Sequence, residues 1–197
     1  MRKIVTLLVA AWVLAGCALT DDTVAVPYQP SDAARLADAG PVGIAVVDSR
    51  TADRNRISTK KNTYGMEMGA IRPERPVSDI VRDALTQEFE RRGFHIEPGQ
   101  RLVTIAVDRF YNDFDIGFWA VTAKGDVQLT VTVADPAGAQ LFNRPYAGTS
   151  EDSSLAFGSS AAGRTVGEAL KDALAKLFAD PDFMKALAVS APARPLS

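Results

Sequence analysis

Cysteine and histidine are nearly missing: the 197 residues hold one of each, Cys17 and His95. One thiol cannot form an internal disulfide, and one histidine with one cysteine cannot supply the usual ligand set of a zinc site. His95 stands between Phe94 and Ile96 on a short apolar stretch and reads as a structural histidine rather than a catalytic base. No Gly-x-Ser-x-Gly elbow occurs. The stretch Gly158-Ser159-Ser160-Ala161-Ala162-Gly163 lacks the Gly-Lys-Ser/Thr of a phosphate loop, so it reads as a linker ahead of a helix. Positive charge is not in excess either: 22 basic residues face 24 acidic ones, which argues against nucleic acid as a partner. After Ala15 no apolar run approaches the roughly 20 residues a spanning helix needs. There is no internal repeat. The expectation is a protein without cofactor, without metal and without enzymatic activity.

What the chain does have begins at its N-terminus. Arg2 and Lys3 precede an apolar run from Ile4 to Ala15, and small residues Ala15 and Gly16 lead directly into Cys17. The run is long enough for the core of an export signal and too short to span a bilayer. Leu14-Ala15-Gly16-Cys17 resembles the lipobox of bacterial lipoproteins. The resemblance implies cleavage between Gly16 and Cys17 and acylation of Cys17, palmitate included. Two or more acyl chains hold a protein stably where one binds only marginally. Ala18, in place of an aspartate, favours the outer membrane over the inner one by the same resemblance. Without Arg2 and Lys3 the mature chain keeps twenty basic and 24 acidic residues.

Residues 18–40 carry Pro27, Pro30 and few bulky apolar groups, and are expected to form a lipidated tether together with Cys17. Residues 41–188 are expected to form the periplasmic domain. Val42 to Asp48 reads as a buried strand. Arg50 to Arg75 is polar and weakly periodic, with short extended pieces near Ile57 and Tyr64 to Met68 that could pair as a hairpin. Val77, Ile80, Val81, Ala84, Leu85 and Phe89 share one helical face, with Ser78 or its predecessor as cap and Gly93 as the stop. Leu102 to Tyr111 alternates, a break is expected at Asn112 to Gly117, and alternation resumes from Trp119 to Ala134. Gly125 is expected at a bend or bulge, and Pro145 at an edge of the next strand, Gln140 to Thr149. A small-residue loop over 153–163 precedes a second long helix over 165–179. Asp180-Pro181 starts a short last one, and residues 189–197 form a disordered tail. This order predicts an α+β fold: a two-layer sandwich of a mostly antiparallel sheet with two long helices packed on one face.

Three further pieces stand in a recognisable order: Pro41-Val42-Gly43-Ile44-Ala45-Val46-Val47, Glu90-Arg91-Arg92-Gly93-Phe94, and Ala120 to Val127 with the Asp180-Pro181-Asp182-Phe183 coda. With the lipobox they resemble the YajG-type lipoproteins of Gram-negative bacteria over the whole domain. The resemblance implies the fold and an outer-membrane, periplasm-facing location, and carries no catalytic residue.

For a site, the acids Asp108, Asp113 and Asp115 lie near Tyr111, Phe114, Phe118 and Trp119. Aromatic groups anchor interfaces, so Asp113, Phe114, Asp115, Phe118 and Trp119 form the candidate binding surface for an envelope protein or peptidoglycan. The alternative is a peptidoglycan-acting enzyme or accessory in which paired carboxylates do acid and base work.

Overall fold

The alternating stretch after residue 120 becomes an interior strand of a five-stranded sheet. A computed structural model describes residues 20–36, 39–62, 64–98, 101–117, 119–154 and 158–188. The strands are β1 (Asp22–Val24), β2 (Pro41–Asp48), β3 (Ser58–Lys61), β4 (Glu67–Pro73), β5 (His95–Ile96), β6 (Arg101–Ile116), β7 (Val121–Ala134) and β8 (Gln140–Ser154). The helices are α1 (Val77–Arg91), α2 (Ser159–Ala179) and α3 (Pro181–Leu187). The large sheet runs β5-β2-β6-β7-β8, and a small sheet runs β1-β4-β3. β2 is parallel to both β5 and β6, as a strand–helix–strand crossover requires, while β6, β7 and β8 form an antiparallel meander.

Helix α1 buries the apolar positions its spacing indicated. Its N-terminus has no side-chain cap; Pro76 occupies the cap position instead of a bonding serine. Its end is a Schellman closure: Gly93 has φ 94°, its N–H donates to Glu90 O, and Phe94 N–H donates to Phe89 O. Phe94 then stacks edge-on against Phe89, with ring centroids 5.2 Å apart. Phe178 from α2 meets Phe89 at 5.1 Å, so both long helices converge on the same side of the sheet. Phe183 of α3 joins this cluster, with Asp180 accepting from Asp182 N–H at the helix start.

The break expected at Asn112 to Gly117 does not exist. β6 continues to Ile116 because Asn112 turns inward and is satisfied there: its amide nitrogen donates to Ser58 Oγ (3.0 Å) and its amide oxygen accepts from Thr165 Oγ1 (2.6 Å). A polar residue that looked like a loop signal is a buried bridge between both sheets and α2. Gly125 is not at a bulge. The ladder shifts register instead at Asp108 and near Ala134. Gly125 is where α2 comes closest: a Cβ there would sit 2.4 Å from Thr165 O, and one on Gly148 would sit 2.0 Å from Ala169 O.

β8 is the sheet edge, as Pro145 indicated, and α2 blocks it. Lys176 Nζ donates to Ala147 O (2.8 Å) and Asp172 accepts Thr149 N–H (3.0 Å), taking two groups that another strand would otherwise use.

The expected tether over 18–40 is a second correction. From Thr20 to Leu36 the chain lies on the domain: β1 pairs with β4, and Val24 is buried. The sequence pointed the other way because the segment has few bulky groups. It is held by hydrogen bonds and by close backbone packing.

Candidate functional site

The N-terminal segment forms a strap with three fastenings. At its start Asp21 accepts Ala70 N–H (2.8 Å) and pairs with Arg72 (2.7 Å), while Asp22 pairs with Lys60 (3.0 Å) and accepts from Ser159 Oγ. In the middle it crosses α2 where two glycines lie one turn apart. A Cβ on Gly163 would stand 2.1 Å from Ala25 O, and one on Gly167 would stand 2.1 Å from Pro27 O. Only a helix surface without side chains at both positions admits the strap so closely.

The third fastening is Glu88, on α1 and 1 % exposed. Its carboxylate accepts from Tyr28 Oη (2.6 Å), Ser31 N–H (2.8 Å) and Ser31 Oγ (2.8 Å), and from Arg92 Nη1. Arg92 lies over the Phe178 ring, 4.0 Å from its centroid. Burial pushes the Glu88 carboxyl up, but the donors from Tyr28, Ser31 and Arg92 outweigh it and hold the group below its ordinary value. Burial and the neighbouring Glu88 carboxylate raise the Tyr28 phenol, which therefore stays a donor. Sequence reasoning missed this lock. A glutamate inside an amphipathic stripe, at Phe89 minus one and four before Arg92, was the available signal.

The loop after β2 is organised by Arg50, 4 % exposed. It grips Asp48 through two nitrogens at 2.8 Å each and donates to the carbonyls of Asp53, Arg54, Arg56 and Phe110. The side-chain bonds from Arg50 hold Asp48 below its ordinary pKa. Beside this loop is a polar cleft of ≈ 360 Å³ reaching Asp108, Arg109, Tyr111 and Asp126. Most of its charges are matched, Arg109 with Asp126 at 2.5 Å and Asp53 with Arg56 at 2.6 Å, while Asp108 accepts from Thr130 Oγ1.

The predicted surface is divided by the strand pleat. Asp113 and Asp115 face outward, paired with Lys61 (2.6 Å) and Lys124 (3.1 Å). Phe114 between them points into the core, 7 % exposed, and cannot serve as a contact residue. Trp119 is 84 % exposed at the β6–β7 turn. Phe118, Cys17 and Gly16 lie outside the described residues. Asp108 accepts from Thr130 Oγ1 (2.6 Å) at the bulge. It is five residues from Asp113 along an extended strand, roughly 16 Å. Asp113 and Asp115 have side chains 59 % and 66 % exposed on an open strand, whereas glycan-cleaving carboxylates work in a cleft that excludes water. The three acids do not assemble into such a site. His95 is exposed on β5.

The open face of the large sheet has two halves. Toward the hairpin it is charged, with Arg109, Asp113, Asp115, Lys124 and Asp126. Toward the other end, the outward positions of β2, β6, β7 and β8 include Ala45, Val47, Leu102, Thr104, Thr132 and Pro145, and none is charged. Val47 and Leu102 are 53 % and 41 % exposed there.

Fold and site together define a two-layer α+β domain strapped by its own N-terminal segment. Among the described residues no helix is long and apolar enough to cross a membrane. The chain belongs to the family described as uncharacterized lipoprotein, which it matches over residues 27–188. No curated protein matches it. Among solved structures it is similar to a Xanthomonas campestris protein of a family of unknown function, with a TM-score of 0.58 at 15 % identity, covering 79 % of this chain and 92 % of that one. At that identity the likeness shows the fold alone. A Helicobacter pylori protein described as a neuraminyllactose-binding hemagglutinin homolog aligns with a TM-score of 0.47 at 7 % identity, covering 82 % of this chain and 97 % of that one.

Proposed function

We propose that the protein is an outer-membrane lipoprotein, acylated on Cys17 and facing the periplasm, whose domain is a non-enzymatic binding module for another envelope protein. The observation that carries the binding reading is the uncharged half of the open sheet face. Four strands there present small, hydroxyl or aliphatic groups and one amide, Asn143, with no charged side chain, and Val47 and Leu102 are exposed at its borders. The charged half supplies a polar rim, and Asp113 and Asp115 belong to it. The membership of an uncharacterised lipoprotein family supports the anchor.

A photo-crosslinking residue at Val47 is expected to give one saturable product in cells, lost when Leu102 becomes glutamate. A crosslinker at exposed Arg82 on α1 is expected not to give it. The same products from both positions would refute the assignment of the face. For the anchor, Cys17→Ser is expected to leave the domain folded and move it out of the membrane fraction. A serine variant that stays membrane-bound would refute acylation at Cys17.

A further inference from the structure

We infer that one end of the domain rests on the surface of an uncharged phospholipid bilayer, with the β3–β4 and β6–β7 hairpin tips, Tyr64, Met66 and Trp119, entering the headgroup region. The inference rests on the proposed acylation of Cys17 and adds to it which surface of the domain meets the lipid.

Strand register sets the geometry. β1 runs parallel to β4 with Asp22 beside Ile71, and Thr20 O lies against Gly69. Thr20, the first described residue, therefore lies where β4 begins, next to the turn joining β3 to β4. Only three residue steps separate Thr20 from Cys17, at most roughly 11 Å of extended chain. An acyl anchor at Cys17 thus brings this end of the small sheet to within a headgroup layer of the bilayer.

The turn there is built to project its side chains. Asn62 Oδ1 accepts from Tyr64 N–H (2.9 Å) and Met66 N–H (3.0 Å), and Gly65 turns with φ 78°. Tyr64 is 85 % exposed and Met66 58 %. The β6–β7 tip lies at the same end. Lys61, the last residue of β3, reaches Asp113 Oδ1 (2.6 Å) and Phe114 O (3.4 Å). β7 starts at Val121 opposite Ser154, and Ser159, five residues further on, bonds Asp22 of the strap. Trp119 heads this tip. Tyrosine, tryptophan and methionine are costly to leave in water, and the two aromatics favour the membrane–water boundary, where the ring is dehydrated and its polar atom stays wet.

Charge at this end selects the lipid. Lys60, Lys61, Arg72 and Lys124 are each paired with an aspartate, so these described residues offer no free basic patch to anionic headgroups. The contact is apolar and interfacial, and it should be insensitive to salt and to anionic lipid.

Cleavage before Cys17 removes Trp12 and leaves Trp119 as the sole tryptophan, a reporter already in place. The experiment reconstitutes the acylated mature protein into phosphatidylcholine vesicles, with and without brominated acyl chains. Flotation and the intact mass score the anchor, and Trp119 fluorescence scores the contact. The expected result is a blue shift, quenching by bromolipid and a severalfold loss of acrylamide quenching, all unchanged in high salt. Tyr64→Ser combined with Met66→Ser, both at exposed positions, is expected to weaken the bromolipid quenching while the protein still floats. Flotation with Trp119 still open to acrylamide would overturn the contact and leave the anchor standing. Failure to float, with no acyl mass on Cys17, would overturn the anchor reading itself. Shielding that needs anionic lipid, or that grows with protein concentration without lipid, would overturn the neutral-bilayer assignment in favour of a charged surface or a second copy.

Discussion

Glu88→Gln tests whether the strap is part of the domain or merely lies on it. The wild-type carboxylate is buried with four donors around it, three of them from the strap. Glutamine keeps the shape and one acceptor but strands the Arg92 guanidinium and adds two N–H donors that face donors. Breaking a buried pair by removing one partner costs about 3–5 kcal/mol, and the surviving acceptor places this change near 3. For a domain of this size, 1 kcal/mol moves the midpoint by about 2–4 °C, so the expected loss is about 6–12 °C. The pH dependence adds a sign. Glu88 is held below its unfolded value, so its contribution is fully present above about pH 4.3 and disappears as pH falls through the folded value. The gap between wild type and variant should therefore be flat from neutral pH to about pH 5 and shrink in stronger acid. Urea and thermal unfolding of the detergent-solubilised protein across pH measure it, with tryptic cleavage at Arg35 reporting on the strap. Adding Arg92→Met should recover part of the loss, since it removes the stranded cation. A midpoint within a degree or so of wild type, or a gap that does not shrink in acid, would refute the lock.

Gly163→Val and Gly167→Val place side chains against carbonyls that leave no room for a Cβ, and each should cost about 1–3 kcal/mol or more while lowering hydrogen-exchange protection over residues 22–28. Unchanged protection would show that the strap does not depend on the glycine stripe. Arg50→Met leaves Asp48 unpaired and four carbonyls without their donor, an expected loss of about 3–5 kcal/mol in urea unfolding, with the loop over 49–56 the first to be cut by protease. Asp108→Asn, Asp113→Asn and Asp115→Asn made together should leave peptidoglycan turnover and glycan binding unchanged. A loss of either would restore the wall-acting reading.

Periodicity was readable wherever burial alone decides structure. Val121 to Val133 and the α1 and α2 stripes are apolar at positions that face one core, and a pattern over many residues outweighs any single exception. The small sheet and the strap were obscured for a common reason. Apart from the isolated apolar residues Val24, Ile57 and Ile71, which are buried, their contacts are made by backbone, by paired charges and by the absence of side chains, and these leave no periodic apolar signature. Asn112 shows the same limit inside a strand: an amide at a loop-like position is stable in the core because Ser58 and Thr165, 54 and 53 residues away, complete its bonds. The candidate surface was half legible. Period two already places Phe114 opposite Asp113 and Asp115, but a break expected at residues 112–117 hides that alternation.

The strap also changes what the anchor can do. A free tether over residues 18–40 would give the domain a mean reach of roughly 25–30 Å and a maximum near 80 Å, enough to search well away from the membrane. With residues 20–36 fastened to α1, α2 and β4, the proposed acylation of Cys17 would leave roughly 11 Å between lipid and fold. A domain held so closely has its orientation restricted as well as its distance. On the proposed bilayer contact the hairpin tips face the lipid, and the uncharged half of the open sheet face, at the far end of the same strands, points away from it. A partner binding there must approach the domain from the periplasmic side, at a height set by the length of β6 and β7. That height, about 14–16 residues of strand or roughly 50 Å at most, is the distance over which the proposed module would couple the membrane to a partner. Inserting a flexible Gly/Ser segment between Cys17 and Thr20 would lift this restriction without touching the fold. If the Val47 crosslink in cells were indifferent to that insertion, the fixed height would have no role in partner choice.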